Sequence, residues 1–133
     1  MNSDLPIYLR ESAARAFAWG ECDCCTWACD WVAQVIGVDP ARRWRGACAS
    51  AIEAARILKE GGGMLALAQA AFADVGLAET DDPLPGDVGV VLGSDGETMA
   101  IRTRIGWAVK TRDGVGCGPF ATLAAWRIEC PPR

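Results

Sequence analysis

The chain has 133 residues, 51% of them hydrophobic, a net charge of −4 and no histidine. That length suits one ordinary domain and is short for two, and six tryptophans supply the bulk for a real core. An acidic balance without a basic stripe argues against nucleic-acid binding, and the longest apolar stretch, Met64 to Ala73, is too short to span a bilayer. No basic segment followed by an apolar one opens the sequence, so Sec export is not expected.

Pro6 to Phe17 predicts a first helix, with Leu5, Leu9, Ala13, Ala16 and Phe17 near helical spacing. The second helix is the clearest. Cys24, Trp27, Ala28, Trp31, Val32, Val35 and Ile36 follow the i, i+3, i+4, i+7 rhythm of one apolar face. Asp23 is a natural N-cap and Gly37 a natural residue just past the end. Asp39 to Arg43 reads as a short capped turn of helix with Pro40 at its first position. Ser50 to Lys59 predicts a third helix, and Met64 to Phe72 a fourth, strongly apolar one. Gly61-Gly62-Gly63 between them follows a helix and lacks the Lys-Ser/Thr ending of a phosphate loop, so it reads as a connector.

The pattern changes at the polar, proline-rich stretch from Glu79 to Gly86. Beyond it Asp87–Leu92, Thr98–Thr103, Gly106–Thr111 and Ala124–Ile128 predict strands, with turns at Ser94-Asp95-Gly96 and Asp113-Gly114. The order is helices first, then a sheet of about four to six strands. The expected class is α+β, a single domain over 1–133 with a helical half to about 78 and a sheet half from about 84 to 130.

Seven cysteines make an odd count, and Cys22, Cys24, Cys25 and Cys29 crowd into eight residues. Neighbours on one helix bridge each other poorly, so free thiols in a reducing compartment are expected. Cys24 opens the second helix, where the dipole and free N–H groups stabilise a thiolate. Without histidine, however, no side chain has an unperturbed pKa near 7 to act as its base. Cys24 is therefore read either as a nucleophile position or as a packed cap residue in line with Trp27 and Trp31. Cys22, Cys25 and Cys29, with Cys48 or Cys117, could supply thiolates to zinc or an iron–sulfur cluster. Their spacing matches no standard ligand run, and buried thiols are the simpler reading. Hence no cofactor is expected. Arg42, Arg43 and Arg45 are either a grip for a carboxylate-rich partner or a solvated helix end, with Arg45 structural beneath the loop between the second and third helices. Asp87, after Gly86, is read as a strand-opening turn or a cap for backbone N–H groups near Cys24. Trp27, Trp31, Trp107 and Trp126 read as core, with any exposed subset marking a docking face.

Two sets of residues carry a resemblance. Trp19-Gly20 before Asp23-Cys24 at a helix start, then further helices, then Pro85-Gly86-Asp87-Val88 opening a strand, resemble the NlpC-type branch of the papain-like cysteine peptidases. More closely, Phe17-Ala18-Trp19-Gly20, Asp23-Cys24, Ala28, Asp30-Trp31-Val32, Gly37-Val38-Asp39-Pro40, Arg45-Gly46, Gly86-Asp87-Val88 and Ala125-Trp126-Arg127 resemble a family of small phage and prophage proteins encoded among tail genes. The resemblance implies a papain-like fold with helices packed on a small antiparallel sheet, and Cys24 as the nucleophile position. It implies a histidine at the start of the second strand, where this chain has Thr98. Asp23 and Asp87 would give structural support. The expected function is a catalytically inactive tail assembly or tail-tip component that binds hub, distal tail or tape-measure proteins. It would reside in the virion tail, and in the host cytoplasm during assembly. An active cell-wall peptidase of the tail and a thiolate-ligated zinc or iron–sulfur protein are the alternatives.

Overall fold

Helices begin where the sequence supplies a cap. In the computed structural model, which describes residues 4–19, 22–42, 44–45, 50–94 and 96–128, α1 spans Leu5–Ala14 behind Asp4, whose carboxylate accepts from the Ile7 N–H. α2 spans Cys24–Ile36. Its start is a capping box in which Asp23 accepts from the N–H groups of Cys25 and Thr26 while the Thr26 hydroxyl accepts from the Asp23 N–H. Gly37 ends it at φ 82°, a left-handed conformation glycine adopts without penalty. α3 spans Ala51–Glu60 behind Ser50, and α4 spans Met64–Asp74.

Five strands follow: β1 Val88–Gly93, β2 Gly96–Arg102, β3 Trp107–Thr111, β4 Gly114–Gly118 and β5 Ala121–Trp126. They form one antiparallel sheet in the order β4-β3-β2-β1-β5. Among the described residues no strand of this sheet precedes β1. The class is therefore α+β.

The order imposes a shape. β4 and β5 lie at opposite edges, yet only Pro119 and Phe120 separate them. A flat five-strand sheet would set its edges roughly 19 Å apart. Three extended chain steps reach only about 10 Å. The sheet must therefore curl until its edges approach, and the Trp107 indole on β3 donates to the Thr122 hydroxyl on β5 at 2.9 Å. Strand alternation then sorts two cores. Val88, Val90, Met99, Ile101, Ala108 and Trp126 meet the helices, packed with Trp27, Trp31, Val32 and Phe72. Val91, Ala100, Trp107, Val109 and Ala125 fill the other face. Trp27, Trp107 and Trp126 are fully buried, and each contributes on the order of 4 kcal/mol from area alone.

The curl explains one glycine. A Cβ on Gly89 would lie 2.7 Å from both the Ala124 carbonyl oxygen and the Trp107 ring. Gly89→Ala should therefore destabilise the fold by roughly 1–3 kcal/mol through overpacking, read as a lowered midpoint in urea with unchanged slope. A wild-type midpoint would mean that Trp107 has room to move.

Polar groups tie the layers together. Tyr8 donates from its hydroxyl to the Trp27 carbonyl at 2.5 Å, and the Trp31 indole donates to the Gly86 carbonyl at 2.8 Å. Lys110, buried on β3, donates to the Ser12 and Arg15 carbonyls at 2.9 and 2.5 Å. A cation on the last carbonyls of α1 is where the helix dipole favours one.

Several boundaries differ from expectation. α1 stops at Ala14, three residues before Phe17, because Arg15 turns extended and its carbonyl goes to Lys110. The residues from Pro40 to Arg42 make a turn rather than a helix, with Asp39 accepting from the Ala41 N–H. Arg43 lies outside the described residues. β4 was not expected, since Gly114, Gly116 and Gly118 weaken the strand signal. Its pairing with β3 from Trp107↔Gly118 to Thr111↔Gly114 supplies what propensity does not. β5 begins three residues before the expected Ala124, because β1 pairing extends past a register shift at Val90/Val91.

Candidate functional site

Cys24 is the first residue of α2, and the Asp23 cap fixes where that helix begins. A second element, the start of β2, brings Thr98 into the same groove as Cys24, where its hydroxyl donates to the Met99 carbonyl at 3.3 Å. The groove measures about 530 Å³, with Phe17, Trp19, Arg112 and Phe120 among its walls. Phe17 and Trp19 meet edge to face at 4.8 Å. Glu97 also lines the groove, but its carboxylate accepts from the Leu65 N–H at 3.1 Å, at the start of α4.

The Cys24 thiol is lowered to about 7. The largest cause is a hydrogen bond from Cys25, whose sulfur lies 3.9 Å away. Burial opposes it, the Thr98 hydroxyl lowers it further, the Asp23 carboxylate opposes, and the Met99 backbone lowers it a little more. Cys25 is pushed up in turn, first by the same bond and then by burial. The neighbouring thiol is thus the main source of acidity at Cys24, and the capping carboxylate works against it. The Cys25 thiol also reaches Met64 Sδ at 3.4 Å. One proton cannot serve both acceptors, so ionising Cys24 draws it away from Met64.

Iodoacetamide alkylation of Cys24, followed residue by residue, should rise with pH and reach half its maximum near 7. In Cys25→Ala the midpoint should move upward towards the ordinary thiol value, because the thiolate loses its donor. An unmoved midpoint would show that the helix terminus alone lowers it.

The other expected site residues lie elsewhere or serve other ends. Asp87 does not cap groups near Cys24. It is buried at the far end of β1, accepts from the Leu84 and Ile128 N–H groups at 2.8 and 2.9 Å, and pairs with Arg127 at 2.9 Å. Cys22 and Cys29 are buried, and burial raises the Cys29 thiol strongly. Cys48 lies outside the described residues. Among the described residues no three cysteine or carboxylate side chains gather as a metal set, and Cys117 is exposed on β4.

Arg45 pairs with Asp30 and Asp39, and Arg42 with Asp74. Burial alone would raise Asp39, but the Arg45 hydrogen bond and the Ala41 N–H hold it below the usual carboxylate value. These two arginines therefore fasten the loop after α2 rather than present free charge. Sequence reading missed the role of Cys25 in the acidity of Cys24, and the partnership of Cys25 with Met64. The adjacency of Cys24 and Cys25 was a visible signal for the first. The second depends on where α4 begins to pack and has no local signature.

A family model described as a domain of unknown function (DUF6950) matches residues 1–128, nearly the whole chain. The chain belongs to this family. No curated protein and no solved structure matches it. Membership thus spans both the helical part and the sheet, with Cys24, Thr98 and Asp87 all inside it.

Proposed function

We propose that this chain is a catalytically silent papain-like domain of the NlpC type, serving as a structural component of a phage tail at or near its tip. It works by binding neighbouring tail proteins such as hub, distal tail or tape-measure components, in the host cytoplasm during assembly and then in the virion. One observation carries the reading. A cysteine opens an apolar helix against an antiparallel sheet, and β2 contributes Thr98 to the same groove, in a chain without histidine. That is the layout of an acyl-transfer site lacking the group that would move its protons. What remains is a groove lined by aromatic residues on a stable scaffold, suited to binding.

The acidity of Cys24 favours a second reading, an active cell-wall peptidase, and release of new amino groups from cell-wall peptides decides between them. The binding role is tested by co-expressing the chain with each tail protein encoded beside it and weighing the complexes after size-exclusion chromatography. A complex of defined stoichiometry with one neighbour is expected. A chain that elutes alone beside every neighbour would sink the proposal.

A further inference from the structure

A second, smaller cavity adjoins the groove, and it offers a chemistry that the proposed binding role does not use. Three sulfurs meet on its wall: Cys24 Sγ lies 3.9 Å from Cys25 Sγ, which lies 3.4 Å from Met64 Sδ. The cavity, about 70 Å³, is otherwise walled largely by apolar side chains such as Leu58 and Leu67. We infer that Cys24, Cys25 and Met64 form a three-sulfur site for a soft monovalent cation, Cu(I).

The donor set decides the ion. Thiolates with a thioether select Cu(I) over hard cations, which demand oxygen. Zinc takes four ligands in structural sites, and among the described residues no three cysteine or carboxylate side chains gather to supply them. Two of the sulfur–sulfur distances, 3.9 and 3.4 Å, are on the scale that three-coordination needs. Taking the zinc–thiolate length of about 2.3 Å as a guide, an ion between a pair 3.9 Å apart subtends roughly 115°, close to trigonal. Met64 must withdraw by about 0.5 Å to match, within the reach of its flexible side chain. Binding releases both thiol protons to solvent. The resulting site carries one net negative charge, which the N-terminus of α2 favours and the Asp23 carboxylate opposes. Cys24 and Cys25 sit in the first turn of α2 and Met64 is the first residue of α4, so the ion would link two helix starts.

The test is an anaerobic competition in which the reduced protein takes Cu(I) from its coloured bicinchoninate complex. Wild-type protein should remove a first equivalent well ahead of the rest. Cys24→Ser, Cys25→Ser and Met64→Leu should each weaken that first equivalent at least tenfold, and Cys117→Ser should leave it unchanged. Met64→Leu conserves volume and keeps the fold, so it remains informative if a serine variant misfolds. X-ray absorption of the one-equivalent complex should show three sulfurs at about 2.3 Å. Wild-type competition by a folded Met64→Leu, loss of the first equivalent in Cys117→Ser, or two-sulfur coordination would each overturn the site.

Discussion

Purified protein incubated with cell-wall peptides should release no new amino groups above the background of a Cys24→Ala variant. Thiol acylation needs a base for the thiol proton and then an acid for the leaving amine. The first requirement is partly met, since Cys24 is lowered to about 7, mainly by the Cys25 hydrogen bond. The second is not. Thr98 is no acid at neutral pH, and the Glu97 carboxylate is turned onto the start of α4. General acid–base groups are worth about 10²–10⁴ in rate, so turnover by an acidic thiol alone should fall below detection. Thr98→His is the informative variant, because Thr98 lines the same groove as the thiol. An imidazolium there should lower the alkylation midpoint of Cys24 further and permit slow cleavage. If unmodified protein cleaves and Cys24→Ala does not, the silent-domain reading is wrong.

The local signals in the sequence were strong where the chain is punctuated by caps and weak where tertiary contacts decide. Asp23, Ser50 and Gly37 mark ends that the structure keeps. Of the face from Cys24 to Ile36, Trp27, Ala28, Trp31 and Val32 are buried as their spacing requires, while Cys24, Val35 and Ile36 are only half-buried. By contrast, three of the five residues of β4 are glycine and it exists by pairing with β3, and the curl of the sheet follows from an edge-to-edge connection that no local pattern announces. The site divides the same way. That Cys24 opens a helix is legible from Asp23 alone. That Thr98 shares its groove depends on how β2 packs beneath α2, for which the sequence offered only a resemblance. Asp87 is the instructive miss. A buried aspartate at a strand start is expected to cap backbone N–H groups, and it does, but which ones depends on the chain end returning along β5.

That geometry makes Asp87→Ala the substitution with the largest expected cost to stability. Asp87 is 2% exposed and holds three donors: the Leu84 N–H, the Ile128 N–H and the Arg127 guanidinium. Removing the carboxylate leaves two backbone donors without their acceptor and a half-buried cation without its partner. Breaking a buried pair from one side typically costs about 3–5 kcal/mol. Arg127 is partly solvated and keeps bonds to the Thr80 hydroxyl and the Asp82 carbonyl, so the lower end, about 3 kcal/mol, is expected. For a chain of this size that is a fall in Tm of roughly 10 °C. Asp87→Asn should cost less, since its amide oxygen can still accept one N–H. The alkylation profile of Cys24 should not move in either variant, because Asp87 acts at the opposite end of β1 from the strand pair Val91↔Thr98. A Tm loss without a reactivity change marks Asp87 as a clamp that fastens the end of β5 and the segment beyond it to the start of β1. A shifted Cys24 midpoint would instead tie it to the groove.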